Sequence, residues 1–328
     1  MSAPVLITGG AGYIGSHTVL ALADAGRSVV VLDDLSTGNR SLVPKGIPLE
    51  IGDVRDSGFV GAVIRRHGCD SAIHLAAKIA VEESVREPLA YWSVNLEGTR
   101  SLLEACQREG VRHLVFSSTA AVYGEASEKP IGEDAPLHPL NPYGRAKLAA
   151  EWLIEDAASA WDLNYVVLRY FNVAGADPQG RSGQCGPEST HLLRIACETA
   201  LGKRPGMEIF GTDYPTADGT ALRDYIHVSD VASAHLRVLD HLQAQGGRLT
   251  FNLGYGRGYS VRQVIEAVER ASGKKLSALE SPRRAGDSAV VIADSTRIKT
   301  MLRWNPQHED LNVIVASAYA WEGRPRSG

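Results

Sequence analysis

Long hydrophobic runs are missing from this sequence: no stretch reaches the ~18 consecutive apolar residues of a membrane span, so no membrane partner is expected. Met1-Ser2-Ala3-Pro4 leads into a short apolar stretch without a basic leader, and the expectation is a cytoplasmic protein with no cleaved leader. Cysteine is scarce. Cys69, Cys106, Cys185 and Cys197 have neither the paired spacing of a zinc site nor the density of a disulfide scaffold, which fits a reducing compartment and predicts no metal centre. A charge excess is missing too: 34 Lys and Arg stand against 38 Asp and Glu, leaving a net charge of -4 and no polyelectrolyte face for duplex nucleic acid. Repeats and low-complexity tracts are likewise lacking, so the expected partners are small molecules.

What is present is enough chain, 328 residues, to bury a large core. Short apolar runs at Val5-Leu6-Ile7, Val29 to Leu32, Ala72 to Ala76, His113 to Phe116 and Tyr165 to Leu168 alternate with helical patterns at Gly12 to Ala25, Asn95 to Arg108 and Pro142 to Ala160. That alternation predicts an α/β fold, a Rossmann-type doubly wound parallel sheet with helices on both faces. Residues 176 to 225 are rich in Gly, Pro and Asp with one clear helix near Thr190 to Leu201, which predicts a smaller, loop-rich α/β lobe on the substrate side. A helix capped by Ser229-Asp230 and a strand at Leu249 to Leu253 return the chain to sheet. The expected division is therefore residues 1–175 with about 226–253 as the dinucleotide-binding domain, and about 176–225 with 254–328 as the second lobe.

Between the first strand and the first helix lies Thr8-Gly9-Gly10-Ala11-Gly12-Tyr13-Ile14-Gly15. Glycines there let the backbone turn sharply and approach a pyrophosphate, while the helix N-terminus offers free N–H groups and a favourable dipole. Asp33, at the end of the second strand, can accept from a ribose 2′-hydroxyl and would repel a 2′-phosphate, so NAD is expected over NADP. The competing reading is a glycine-rich turn that serves packing only. The GxxGxxG spacing of Gly9, Gly12 and Gly15 resembles the short-chain dehydrogenase/reductase superfamily. The resemblance implies that Asp53 and Val54 flank the adenine, that Leu75, Ala76 and Ala77 line the cofactor, and that Asn95 steadies the neighbouring helix. Asp53 alone reads equally as a loop or capping residue.

Tyr143 and Lys147 lie four apart at the start of a helix and project from one face. A free tyrosine titrates near ~10, and a base working near neutrality needs that lowered by about three units, about 4 kcal/mol. One cation about 5 Å away supplies roughly 3 kcal/mol at an effective dielectric of ~20, which gives Lys147 a task beside an oxidised nicotinamide. Thr119, after the strand containing Phe116, would relay or orient the proton. Taken singly, the Tyr-x-x-x-Lys pair also reads as a solvated helix face.

The resemblance then narrows to the extended short-chain enzymes, and among them to the UDP-galactose (UDP-glucose) 4-epimerase family. It is carried by Thr8 to His17, Asn141-Pro142-Tyr143-Gly144, Leu168-Arg169-Tyr170-Phe171-Asn172, Asp213-Tyr214-Pro215-Thr216, Asp218-Gly219-Thr220, Arg223 to Val228, and Pro282-Arg283-Arg284-Ala285-Gly286-Asp287. It implies NAD-dependent 4-epimerisation of a UDP-hexose in a homodimer, with helices 95–108 and 142–160 as its bundle; their apolar faces read equally as internal core. Arg223 and Arg284 would fork onto the diphosphate, Asp287 would take a ribose hydroxyl, and Phe171 would lie against the cofactor. Asn172, His191, Leu192 and Phe210 would add contacts to phosphate and uracil, although Phe210 also reads as core and His191 as a satisfied helix histidine. Ala120-Ala121 stand where related dehydratases and decarboxylases carry an acid. Thr119 replaces a common serine, and Val291 occupies the place of a frequent pocket-closing tyrosine, which implies room for N-acetyl sugars. A 4-epimerase of a UDP-N-acetylhexosamine or a UDP-pentose, another nucleotide-sugar short-chain enzyme, and a non-catalytic NAD sensor remain the alternatives.

Overall fold

The computed structural model describes residues 3–125, 129–186, 190–284 and 287–325; Ala285-Gly286 of the arginine-rich segment lie outside them. The chain runs β1 Val5–Thr8, α1 Tyr13–Asp24, β2 Val29–Asp33, β3 Leu49–Ile51, α2 Ser57–His67, β4 Ser71–His74, α3 Val81–Arg86, α4 Pro88–Tyr91, a π-helical turn Trp92–Glu97, α5 Gly98–Glu109, β5 His113–Thr119, α6 Pro142–Ala160 and β6 Asn164–Tyr170. It continues through β7 Asn172–Ala174, α7 Leu192–Ala200, β8 Met207–Phe210, β9 Leu222–His227, α8 Val228–Gln245, β10 Arg248–Leu253, β11 Gly258–Ser260, α9 Val261–Ser272, β12 Ala278–Ser281, β13 Val290–Val291, α10 Thr296–Leu302 and α11 Leu311–Glu322.

Seven strands form one parallel sheet in the order β10-β6-β5-β4-β1-β2-β3, the doubly wound arrangement that the sequence predicts. The central strands are buried along their length because each is covered on both faces. On one face Val19 and Leu22 of α1 pack with Val238 and Leu242 of α8; on the other, Val60 and Ile64 of α2 meet Leu102 of α5 and Ile154 of α6. Strand order reverses between β1 and β4, the switch point at whose carboxyl edge such sheets bind ligands. A second sheet, β11-β9-β13 with β7 also on β9, and a parallel β8–β12 pair come from the later part of the chain.

Several local expectations need correction. Helix α8 is capped by His227, whose Nδ1 accepts from the Ser229 N–H, and not by Ser229-Asp230. Asp230 is instead buried, accepting from the backbone N–H groups of Gln307 and His308 and from the Tyr255 hydroxyl. Strands β3 and β8 were not foreseen, and the helix expected from Asn95 begins as the π-helical turn before α5.

Candidate active site

The glycine-rich turn is tight because other backbone fills the space a side chain would need. Gly9 has φ +72°, and a Cβ there would lie 2.5 Å from the Ala76 nitrogen; a Cβ on Gly15 would lie 2.0 Å from the Gly9 carbonyl oxygen. Helix α1 opens at Gly12 with no side-chain cap and no acid in its first turn, so no side chain of its own neutralises the dipole at that end. Tyr13 and Ile14 begin that helix. The Tyr13 hydroxyl donates to the Gly175 carbonyl at 2.6 Å, and Ile14 packs against the core.

Asp33 closes β2 with its carboxylate accepting from the Ala11 and Leu35 N–H groups, both at 2.9 Å. Burial pushes its carboxyl up, and those two N–H groups pull it back down. The donor set fits a dinucleotide: an uncapped helix end for pyrophosphate, with a carboxylate at the adjoining strand end. Val54 is buried and packs against Gly98, and Asp53 pairs with Arg55, which holds its carboxyl low; Asp56, not Asp53, caps α2. Leu75, Ala76 and Ala77 follow β4 at the switch point. Asn95 grips this loop and does not merely steady a helix: its Oδ1 accepts from the Lys78 N–H at 2.8 Å and its Nδ2 donates to the Lys78 carbonyl at 3.0 Å. Lys78 ion-pairs with Glu83 at 2.9 Å.

Thr119, Tyr143 and Lys147 are brought together at the carboxyl end of β5. Asn141 caps α6 by accepting from the Gly144 N–H, and Pro142 opens the helix with its fixed φ. Gly144 lets α6 approach the turn after β5, since a Cβ there would lie 2.7 Å from the Ala121 carbonyl oxygen. The Thr119 side chain consequently hydrogen-bonds the Tyr143 phenol. Burial raises the phenol above its ordinary range, and the Thr119 hydroxyl lowers it. Lys147 is buried and donates from Nζ to the Ser117 carbonyl at 2.9 Å; burial pulls it down to about 7 while Glu151 acts upward. The Tyr91 ring meets the Tyr143 ring edge-on at 6.3 Å.

The expected nucleotide-sugar residues fall into smaller sets. Arg223 donates from Nη2 to Asp287 at 2.6 Å, with Val291 opposite it on β13. Arg284 lies 3.9 Å over the Phe210 ring and pairs with Glu82 of α3 at 3.3 Å, so Phe210 is a partly exposed platform and not core. Phe171 is buried among Val122, Tyr123 and Leu148, with Val291 against the same cluster. Asn172 is exposed on β7. His191 stands at the N-cap of α7 without capping it, held low by burial and by the charge of Arg194; Leu192 packs on the core.

Sequence reasoning missed Tyr91, Glu151 and Arg169. Glu151 carries a signal, being four residues beyond Lys147 on the same helix.

Comparison with known proteins agrees with this geometry. The family model described as "NAD dependent epimerase/dehydratase family" matches residues 5–254. A UDP-glucose 4-epimerase of Azospirillum brasilense is 51% identical over 318 residues, covering 97% of this chain and 91% of the relative. The crystal structure of UDP-glucose 4-epimerase from Brucella ovis in complex with NAD superposes with a TM-score of 0.94 at 41% identity, over 97% of this chain and 98% of that one. The UDP-Glc/GlcNAc 4-epimerase from Campylobacter jejuni gives 0.86 at 43% identity, over 98% and 99%.

Proposed function

Because the chain belongs to the NAD dependent epimerase/dehydratase family, we propose that it interconverts UDP-galactose and UDP-glucose through a transient 4-keto sugar, with NAD as a retained cofactor. The observation that carries this reading is the Thr119–Tyr143–Lys147 cluster at the carboxyl edge of the sheet that also bears the uncapped helix and Asp33.

The Gly9–Gly15 turn and Asp33 would hold NAD, which would supply a reversible hydride acceptor for C4 of the sugar, so that no net oxidation results. Tyr143 accepts the proton of the sugar 4-hydroxyl and later returns it. Thr119, already bonded to that phenol, stabilises its deprotonated form and orients the exchanged proton. Lys147 adds positive charge from the same helical face, offsetting the burial that raises the phenol. Arg223 and Arg284 hold the diphosphate, Asp287 a ribose hydroxyl and Phe210 the uracil face, with Asn172, His191 and Leu192 completing the nucleotide contacts. The sugar is left free to turn.

Ala120-Ala121 offer no second acid for dehydration or decarboxylation. Val291 favours a second substrate class, UDP-N-acetylhexosamines, since a small side chain stands where a tyrosine would narrow the pocket. On this reading residues 1–175 with about 226–253 hold the cofactor, and the remainder holds the nucleotide sugar. The protein works in the cytoplasm in galactose metabolism, as a homodimer joined through α5 and α6, where Trp152 is exposed.

The test is a product scan over UDP-hexoses, UDP-N-acetylhexosamines and UDP-pentoses without added NAD. UDP-galactose should yield UDP-glucose, and Tyr143→Phe should keep NAD while losing roughly 10²–10⁴-fold in turnover. Inactivity of the NAD-loaded wild type toward every sugar would identify a cofactor sensor instead.

A further inference from the structure

A buried acid lies along the same helical face as the reacting phenol. Tyr143, Lys147 and Glu151 succeed one another at four-residue steps on α6, so their side chains line one side of it. The Glu151 carboxylate is fixed by two other elements. Arg169 of β6 donates to it from Nη2 at 2.6 Å and from Nε at 3.1 Å, and Ser118 of β5 donates its hydroxyl. Arg169 is itself held by the Tyr123 phenol oxygen at 3.0 Å and lies 5.1 Å over that ring, while the Tyr123 hydroxyl donates to Asn252 at 2.7 Å. Such a clamp leaves the carboxylate no freedom to swing toward solvent.

The surroundings of Lys147 assign Glu151 its effect. From β5 the ammonium meets the Ser117 carbonyl and, at 4.8 Å, the Phe116 ring. From β4 it faces His74, which burial holds neutral down to about 3. Tyr143 lies one turn before it, with Tyr91 of α4 against that ring and the Lys78–Glu83 pair beyond. Arg169 of β6 stands behind Glu151. Burial weakens the amine's hold on its proton, and Glu151 is the acidic group that opposes this.

We propose that Glu151 is a positioning residue that acts through Lys147, its clamped carboxylate holding more of that amine protonated near neutral pH. The proposal rests on the epimerase reading. Arg169 ion-pairs with Glu151 at 2.6 Å and stabilises its charged form. Glu151→Gln keeps the shape and an acceptor for Arg169 and Ser118 but drops the negative charge.

The decisive measurement is the titration of lysine ¹³Cε resonances in the NAD-loaded, full-length protein, with the Lys147 signal identified by its loss in Lys147→Arg. Glu151→Gln should lower the Lys147 midpoint by about one pH unit. Glu151→Asp, which retains the charge, should stay near the wild-type value. An unmoved midpoint in Glu151→Gln, or a Glu151→Asp midpoint that falls as far as that of Glu151→Gln, would overturn the proposal, because loosened packing alone does not distinguish a retained charge from a lost one. If Glu151→Gln does not fold, Glu151→Asp decides, and a midpoint lowered by about one unit there overturns the proposal, since the charge is still present. UDP-galactose turnover measured on the same wild-type sample separates the two claims: inactivity there counts against the epimerase reading, while the titration still judges Glu151.

Discussion

Replacing Asp33 by asparagine probes the cofactor cradle where a single carboxylate has two obligations. In the folded chain its oxygens accept from the N–H groups of Ala11 and Leu35, each at 2.9 Å, and the residue is 7% exposed. Asparagine offers one oxygen, so its amide nitrogen must face one of those N–H groups, donor against donor. Hydrogen bonds to a charged acceptor contribute about 1.5–3 kcal/mol, and an orphaned buried donor costs about 1–3 kcal/mol. Burial already disfavours the charge on Asp33, so part of this loss is offset when the charge goes. The expected net destabilisation is about 2 kcal/mol, an apparent melting shift of roughly 3 °C for a chain of this size. A bound ribose loses a charged acceptor as well, which weakens NAD about 10- to 100-fold. Differential scanning fluorimetry of cofactor-stripped protein reads the first effect, and NAD content after gel filtration reads the second. An Asp33→Asn protein that melts within about 1 °C of wild type and purifies with a full complement of NAD would refute the reasoning.

Two further outcomes follow from the structure. Burial holds His74 and His227 near 3, and His17 and His235 near 4, so the folded state binds fewer protons than the unfolded chain, whose histidines titrate near ~6.5. The stability they contribute is complete above about 6.5 and is lost as pH falls toward those folded values, each adding about 1.4 kcal/mol per pH unit to the slope; melting curves from pH 7.5 to 5 that show no steepening decline would contradict this. Val291→Tyr should cut turnover of UDP-N-acetylglucosamine about tenfold or more while leaving UDP-galactose nearly unchanged. Equal losses on both sugars in a competition assay would show that position 291 does not shape the pocket.

The parts legible in the sequence were those coded locally. Helix α6 runs over the residues that its pattern predicts, because Asn141 and Pro142 mark its start unambiguously and its apolar positions recur with helical period. The glycine turn and Asp33 were readable for the same reason: strand, turn, helix and next strand follow one another within 33 residues. Strand β3 was not readable, since Leu49–Ile51 is a short, partly exposed edge with no apolar run. Nor was the cap of α8, where His227 takes a part usually filled by Ser or Asp. The Glu151–Arg169 pair joins a helix to the following strand, and the Arg284–Glu82 pair joins residues about 200 positions apart. Such contacts exist only once the topology is set, so charge patterning along the chain gives no sign of them.

One of the two edge strands of the large sheet, β10, carries a consequence for how the molecule is made. Strand β6, which holds Arg169, has β5 on one side and β10 on the other, yet β6 ends at Tyr170 and β10 at Leu253. The ribosome adds the intervening 83 residues (253 − 170) at about 5–20 per second, so the nascent chain presents an open hydrogen-bonding edge for roughly 4–17 s. During that interval the growing polypeptide is at its most adhesive, and a chain stopped short of Leu253 keeps that edge permanently.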